Sequence, residues 1–145
     1  MTTTIKKCCA ASLAAVCFFA VTHAVAATAI IAHPSNTTAG LSANETARIY
    51  LGQTRAFPNG KPATPVDQIE GSATRTRFVT NVLQKDERVL KSYWTKLQYT
   101  GKGRAPEVVG GDEQVRDWVS KNPSAIGYVD GKALDKSVKV LLIVP

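Results

Sequence analysis

The sequence predicts an α/β protein, built as a three-layer sandwich with a mostly parallel sheet. Short apolar runs rich in β-branched residues alternate with segments whose apolar residues recur at helical spacing. Glycine, proline or a capping residue stands at most changes from one pattern to the other, and no internal repeat interrupts the alternation. Strands separated by helices usually pair in parallel and are covered on both faces, which gives the predicted fold.

The first strand and the first helix are predicted between residues 28 and 52. Residues 28–32 form a short apolar run, and residues 33–36 have the composition of a turn. Ser42 and Glu45 have the spacing of a capping box, which marks the start of a helix. We expect this helix to continue through Leu51 and to be stopped by Gly52, because glycine is favoured just after the last helical residue.

The remaining residues continue the alternation. Residues 53–65 are rich in glycine, proline and asparagine and predict a surface loop, with Asn59-Gly60 as a turn. Strands are predicted over residues 64–69, 125–129 and 138–144. Helices are predicted from Ser72, from Asp86 to about Tyr99, and from Gly110 to Asn122.

Several residues have predicted packing roles. Tyr93 and Trp94 lie on an apolar stripe, and we expect them in the core rather than on a ligand platform. Trp118 is expected to point inward from the last predicted helix. Gly127 is expected to allow another backbone to approach its strand closely. Residues 100–106 carry two bases but lack the spacing of a P-loop, so they predict a solvated loop.

The segment Gly71-Ser72-Ala73-Thr74-Arg75 is the candidate binding site. It follows a strand and opens a helix, where the first backbone N–H groups have no helical acceptor and the macrodipole favours an anion. The hydroxyls of Ser72 and Thr74 add hydrogen-bonding groups, and Arg75 and Arg77 add positive charge. The sequence therefore predicts a site for phosphate, sulfate or a carboxylate. The alternative is that Ser72 merely caps a surface helix.

Ser35 and Asn36 form a second candidate segment. They follow the first predicted strand, as Gly71 and Ser72 follow the second. In open α/β sheets, ligands bind beyond the carboxyl ends of the strands, so we expect that the two segments could share one pocket. Serine and asparagine are also common turn residues, and this explanation of Ser35 and Asn36 stays open.

Residues 1–26 have the pattern of a secretory signal peptide. Two lysines precede an apolar run from about Cys8 to Val21, and residues 24–26 have the small-x-small pattern that precedes cleavage. We expect cleavage before Ala27 and a periplasmic domain over residues 27–145. The alternative is a lipoprotein cut before Cys17, but the preceding valine is unfavourable at that position.

Composition argues against several functional classes. All three cysteines lie in the predicted signal peptide, so we expect neither a disulfide nor a thiol nucleophile in the exported domain. His33 is its single histidine, and we expect no metal site, no cofactor and no catalytic residues. The acids Asp86-Glu87 and Asp112-Glu113 are expected at helix starts, where the dipole favours them. Bases and aromatics do not alternate, so nucleic-acid binding is not predicted, although the basic charge suits an anionic ligand or partner.

Five short motifs in one order resemble the substrate-binding proteins of bacterial phosphate ABC transporters. They are Ile30-Ile31-Ala32-His33-Pro34-Ser35-Asn36, Leu41-Ser42 with Glu45, Ile49-Tyr50-Leu51-Gly52-Gln53, Gly71-Ser72-Ala73-Thr74-Arg75 with Phe78, and Ala125-Ile126-Gly127-Tyr128-Val129. Those proteins are type II periplasmic binding proteins, whose two α/β lobes close on the anion. The chain is similar to one lobe and its connecting strand, and it resembles the short, stand-alone members of the family.

The resemblance implies phosphate binding at the helix start, and two departures weaken that site. Ala73 stands where the family commonly has glycine, which adds a methyl group beside the anion. Gln68 falls near the position of a family arginine, so a strong bidentate contact is lost unless Arg75 replaces it. With donors on one side only, we expect weak binding, with a Kd of roughly 1 mM.

Two hypotheses for the function follow. The first is an exported module that binds phosphate or a similar small anion and is related to phosphate ABC transport. A homodimer or a second exported protein would complete its clamp, and the membrane subunits of an ABC transporter would be further partners. The second is a non-transport interaction or scaffold protein with a vestigial anion site, which could use the basic segment Lys102-Gly103-Arg104 to dock a partner. Neither hypothesis involves an enzyme.

Overall fold

The computed structural model describes residues 25–145. The three cysteines and nearly all of the predicted signal peptide lie outside the described residues, so the predicted export and cleavage site stay predictions. The described strands are β1 (Thr28–Ala32), β2 (Thr64–Gln68), β3 (Glu107–Gly110), β4 (Ala125–Asp130) and β5 (Lys139–Val144). The described helices are α1 (Ala43–Tyr50), α2 (Ala73–Asn81), α3 (Glu87–Tyr99), α4 (Asp112–Lys121) and a 3-10 helix (Gly131–Ala133).

The five strands form one sheet in the order β3-β2-β4-β1-β5. β2 pairs in parallel with β3 and with β4, whereas β1 is antiparallel to both of its neighbours, β4 and β5. Four strands therefore run in one direction and only β1 runs in the other. The prediction of a mostly parallel sheet is confirmed, with a reversed strand inside it.

Helices cover both faces of the sheet. On one face, α1, α2 and α3 pack over alternate residues of β1 and β4, such as Ile30 and Tyr128. On the other face, Val115 and Val119 of α4 pack over the intervening residues, such as Ile31. This alternation follows from the two-residue period of a strand, and it confirms the predicted three layers.

An aromatic cluster fills the core on the three-helix face. The rings of Phe78 and Tyr128 are stacked with their centroids 3.9 Å apart, and the Tyr50 ring lies edge-on to both. The Tyr50 hydroxyl donates to the carbonyl oxygens of Val66 at 3.0 Å and Ile126 at 3.1 Å. Burial, with the neighbouring Tyr128 and Asp67, raises the pKa of Tyr50 well above its usual value. The cluster thus attaches α1 and α2 to the strands that lead to the candidate site.

Most predicted helix starts are confirmed. The Ser42–Glu45 capping box forms at α1, Ser72 caps α2, and Asp86 caps α3. Trp94 belongs to the core as predicted. No helix within residues 25–145 is both long and apolar enough to cross a membrane.

Three local features differ from the predictions. The sequence did not predict β3, because it is a four-residue edge strand in which no residue is fully buried. Trp118 was expected to point inward, but its side chain is 37% exposed at the side of α4. At Gly127 the close neighbours are side chains, not a backbone: a Cβ there would lie 2.5 Å from Val115 Cγ1 and 2.9 Å from Val119 Cγ2. Gly127 therefore lets α4 pack directly on β4.

Candidate functional site

The candidate site lies where β2 ends and α2 begins. The chain turns after Gln68 through Gly71, whose φ of +87° is a conformation that favours glycine. Ser72 is the N-cap of α2, and its Oγ accepts a hydrogen bond from the backbone N–H of Arg75 at 3.3 Å. The predicted order of strand, turn and capped helix is therefore present.

Two backbone donors remain free at this helix start. Within the described residues, the N–H groups of Ala73 and Thr74 have no hydrogen-bond acceptor, whereas the Thr76 N–H bonds to the Ser72 carbonyl. Ala73 is exposed, and Thr74 is buried with 3% of its surface accessible. These two donors carry the partial positive charge of the helix terminus, which suits an anionic ligand.

Gln68 fills the position beneath the helix start. It is fully buried, and its Oε1 accepts a hydrogen bond from the Ser72 hydroxyl at 2.6 Å. Its Nε2 donates to Asp112 Oδ1 at 2.8 Å and to the carbonyl oxygen of Tyr128 at 2.9 Å. The amide thus orients the Ser72 hydroxyl, and this position adds no positive charge to the site.

Asp112 places a carboxylate at the helix start of α2. It is the first residue of α4, and its Oδ1 accepts hydrogen bonds from Gln68 Nε2 and from the Asp130 N–H, each at 2.8 Å. Among the described residues, its Oδ2 accepts only a long hydrogen bond, from the Thr74 hydroxyl at 3.3 Å. Sequence reasoning placed Asp112 at a helix start but missed its role here, because 38 residues separate it from Thr74.

Arg75 is bound to acidic groups of the chain. Its Nη1 donates to Asp67 Oδ2 at 2.5 Å and to the Gln68 carbonyl at 3.0 Å, while Nε and Nη2 donate to the two carboxylate oxygens of Glu87 at 2.7 and 3.0 Å. Burial alone would lower the pKa of Arg75, but the bonds and charges of Glu87 and Asp67 raise it above its usual value. Tyr128 also donates its hydroxyl hydrogen to Asp67. The guanidinium therefore ties α2 to β2 and α3.

Arg77 supplies a guanidinium beside Thr74. Its Nη2 donates to Asp130 Oδ2 at 2.5 Å and makes a longer contact of 3.4 Å with the Thr74 hydroxyl. Its Nε is buried and has no hydrogen-bond partner among the described residues. A buried donor without a partner is uncommon in a folded protein. The guanidinium that contacts the Thr74 side chain is therefore that of Arg77, which is itself paired with Asp130.

Ser35 and Asn36 lie beyond the opposite ends of the strands from Gly71 and Ser72, so the expectation of one shared pocket is wrong. β1 is antiparallel to β4, which places Ala32 beside Ile126 near the start of β4. β2 is parallel to β4, and its end therefore lies near the end of β4. The carboxyl ends of two strands lie at the same side of the sheet only when the strands are parallel.

The contacts of Ser35 and Asn36 are those of a turn. The Ser35 hydroxyl lies 2.7 Å from His33 Nδ1. Asn36 is buried, and its Oδ1 accepts a hydrogen bond from the Thr38 N–H at 2.9 Å. These contacts favour the turn-forming interpretation of both residues. Among the described residues, no group of three or more histidine, cysteine, aspartate or glutamate side chains could hold a metal ion.

The fold is similar to solved structures of phosphate-binding proteins. A protein from Clostridium perfringens, assigned as a phosphate ABC transporter substrate-binding protein and solved with bound phosphate, matches with a TM-score of 0.64 at 22% identity. An ABC-type phosphate transport receptor from Vibrio cholerae matches with a TM-score of 0.63 at 20% identity. PstS from Borrelia burgdorferi matches with a TM-score of 0.60 at 14% identity.

The extent of these matches defines what is shared. Each covers 80% of this chain but only 44%, 45% and 46% of the three proteins, respectively. No protein-family model and no curated protein matches the sequence. The chain thus spans less than half the length of these solved proteins, and it has the fold of part of a phosphate-transport binding protein.

Proposed function

We propose that this chain is an exported, single-lobe binding protein. It binds a small oxyanion at the start of α2, and phosphate is the expected ligand. The observation that carries the proposal is the pair of backbone N–H groups at Ala73 and Thr74 that lack an acceptor. Arg77 lies beside them, with its contact of 3.4 Å to the Thr74 hydroxyl. Helix N–H groups next to a cation form an anion site. Two solved structures that share the fold, from Clostridium perfringens and Vibrio cholerae, are of phosphate-transport proteins.

In this proposal the residues have distinct roles. The N–H groups of Ala73 and Thr74, the Thr74 hydroxyl and the guanidinium of Arg77 contact the anion. Gly71 allows the turn, and Ser72 caps the helix. Arg75 positions α2 through Asp67 and Glu87, as its hydrogen bonds indicate. Ser35 and Asn36 have no part in this pocket, because they lie beyond the opposite ends of the strands.

Asp112 would favour a protonated ligand. Its Oδ2 has only the long contact with Thr74 and can accept another hydrogen bond. Phosphate keeps at least one proton at neutral pH and can donate it to a carboxylate, whereas sulfate has no proton to donate. An ion without a proton would face the carboxylate as an uncompensated like charge. We therefore expect phosphate to bind more tightly than sulfate.

Donors approach the anion from one side, so that binding by the isolated chain should be weak, with a Kd of roughly 1 mM. Tight binding would need a second surface, supplied by another copy of this chain or by a second exported protein. The membrane subunits of an ABC transporter are the downstream partners that the proposal implies.

Calorimetry of the purified chain with phosphate and then with sulfate tests the proposal, with the mass in solution measured alongside. We expect weak, saturable phosphate binding, which Ser72→Ala and Thr74→Ala reduce. Ser42→Ala is the matched control, since it removes the N-cap of α1 and leaves the candidate site intact. Asp112→Asn should reduce the preference for phosphate over sulfate. Absence of heat at millimolar phosphate would refute the proposal.

A scaffold or interaction protein is the second candidate function. The observation that favours it is the internal network in which Gln68 binds both Ser72 and Asp112. The side chains of Gln68 and Ser72 thus pair with each other without a ligand, as in a vestigial site. No heat of phosphate binding in the calorimetric experiment, together with an unchanged melting temperature when phosphate is added, would support this candidate.

A further inference from the structure

A large groove lies outside the candidate anion site. It has a volume of about 1380 Å³ and is bounded by the end of α1 with its following loop, the start of β2, the end of α3 with residues 101–107, and α4. Small-molecule sites commonly have volumes of about 300–1,000 Å³. The size and open form of the groove therefore suit a segment of polypeptide better than a small solute.

The groove is lined by three cations and one acid. The cations are Arg55, Lys102 and Arg104, and the acid is Glu107 at the start of β3. Within the part of the chain that the structure describes, none of the three cations forms an ion pair or a side-chain hydrogen bond. All three residues are exposed, so their charges are available to a partner.

Positive charge is also concentrated in α3, whose bases Arg88, Lys91 and Lys96 lie outside the groove lining. Residues 85–104 contain six of the sixteen basic residues that remain after the predicted signal peptide, but only two of the eleven acidic ones. Nearly all of the net positive charge of the described chain thus lies in α3, its flanking residues and the loop that borders the groove. Such a distribution attracts an acidic partner and accelerates its association.

The groove also offers apolar surface. Trp94 lies at its base, and Gly103 packs over it, since a Cβ at Gly103 would be 3.6 Å from Trp94 Cζ3 and 3.7 Å from Leu97 Cδ1. Trp118 of α4 forms part of another wall and is 37% exposed. Tryptophan and arginine are the residues most often enriched in the energetic centre of protein interfaces.

The neighbouring edge strand suits an extended segment. β3 lies at the end of the described sheet and pairs only with β2, and its first residue, Glu107, borders the groove. An edge strand presents backbone groups that a partner segment can pair with. A concave site with cations, two tryptophans and an edge strand differs from the flat basic face that an anionic membrane surface would require.

We propose that this groove binds an acidic, extended segment of another protein, one that carries an apolar side chain between glutamates or aspartates. The acidic groups pair with Arg55, Lys102 and Arg104, and the apolar side chain packs against Trp118 and Leu97. The site is separate from the start of α2, because the groove borders the beginning of β2 and Ser72 follows its end.

Fluorescence anisotropy of a labelled synthetic peptide tests the proposal on the purified chain. The probe is a short peptide in which glutamates flank a leucine and a phenylalanine, and its glutamine counterpart is the charge control. We expect the glutamate peptide to bind with an affinity that falls as salt increases, and the glutamine peptide not to bind. The double substitution Lys102→Gln with Arg104→Gln should weaken binding roughly tenfold, given two exposed charge contacts.

Lys132→Gln with Lys136→Gln is the matched control, because it removes the same charge from an exposed segment outside the groove. This control should bind the peptide as the unchanged protein does, and Trp118→Ala should bind it more weakly. Equal affinity in the groove and control variants, or equal binding of both peptides, would overturn the proposal. Binding to vesicles with anionic lipids without binding to the acidic peptide would also overturn it. Phosphate calorimetry on the Lys102→Gln, Arg104→Gln protein should be unchanged, which separates this proposal from the anion site.

Discussion

Replacement of Arg75 by glutamine should destabilise the protein, because Arg75 connects three elements near the candidate site. Its guanidinium binds Asp67 on β2 and both carboxylate oxygens of Glu87 on α3. Only 12% of the Arg75 side chain and 13% of the Asp67 side chain are exposed. The substitution leaves Asp67 as a nearly buried carboxylate whose remaining donors are the Tyr128 hydroxyl and the Gln68 N–H.

The size of the effect follows from this burial. Removal of one partner from a fully buried ion pair costs about 3–5 kcal/mol, and exposed pairs contribute about 0–1 kcal/mol. Glu87 is 31% exposed, so its share of the interaction is screened by solvent. We therefore expect Arg75→Gln to lower the free energy of unfolding by about 2–4 kcal/mol, which corresponds to a decrease of about 1–2 M in the urea midpoint.

Urea denaturation followed by tryptophan fluorescence measures this effect. Arg88→Gln is the matched control, since Arg88 is exposed on α3. Its free energy of unfolding should change by no more than about 0.5 kcal/mol. Asp67→Asn combined with Arg75→Gln should be less destabilising than the sum of the single changes, because the buried carboxylate is then neutral. An unchanged midpoint in Arg75→Gln together with loss of phosphate binding would refute this reasoning and identify Arg75 as a ligand.

Two further predictions concern α4 and α1. Gly127→Ala should lower the free energy of unfolding by about 1–3 kcal/mol in thermal denaturation, because its Cβ would lie 2.5 Å from Val115 Cγ1. Gly103→Ala, whose Cβ would make only ordinary contacts, should leave the melting temperature unchanged, and an equal effect of both would contradict the packing argument. The bonds of Glu45 to the Ser42 backbone and hydroxyl lower the pKa of Glu45, so the capping box stabilises the fold above the unfolded pKa of about 4.3 and loses this effect as pH falls through the folded value. The melting temperature of the unchanged protein should therefore exceed that of Glu45→Gln at pH 7 and approach it below about pH 4, whereas a constant difference would argue against the prediction.

The two proposed sites would suit different partners. The start of α2 offers a few donors to a small anion, and its charge is balanced by Asp112 and Asp130. The groove beside α3 offers three cations that form no ion pair within residues 25–145, together with an exposed tryptophan. A protein that uses both would bind a small ligand beyond the end of β2 and a macromolecular partner beside the start of β2.

The sequence by itself determined the local structure of this protein. Apolar periodicity predicted β1, β2, β4 and β5 and the four helices, and Ser42 and Ser72 marked two helix starts. These features are encoded by residues a few positions apart, which contact each other whatever the rest of the chain does. The candidate anion segment 71–75 could be found for the same reason.

Only the tertiary structure decided which residues meet. The antiparallel direction of β1 separates Asn36 from Ser72, although both follow strands, and no periodicity in the sequence records strand direction. The approach of Asp112 to Thr74 and of Glu87 to Arg75 joins residues from different helices. Such contacts depend on how helices pack on the sheet, and this packing is set by the whole core rather than by neighbours along the chain.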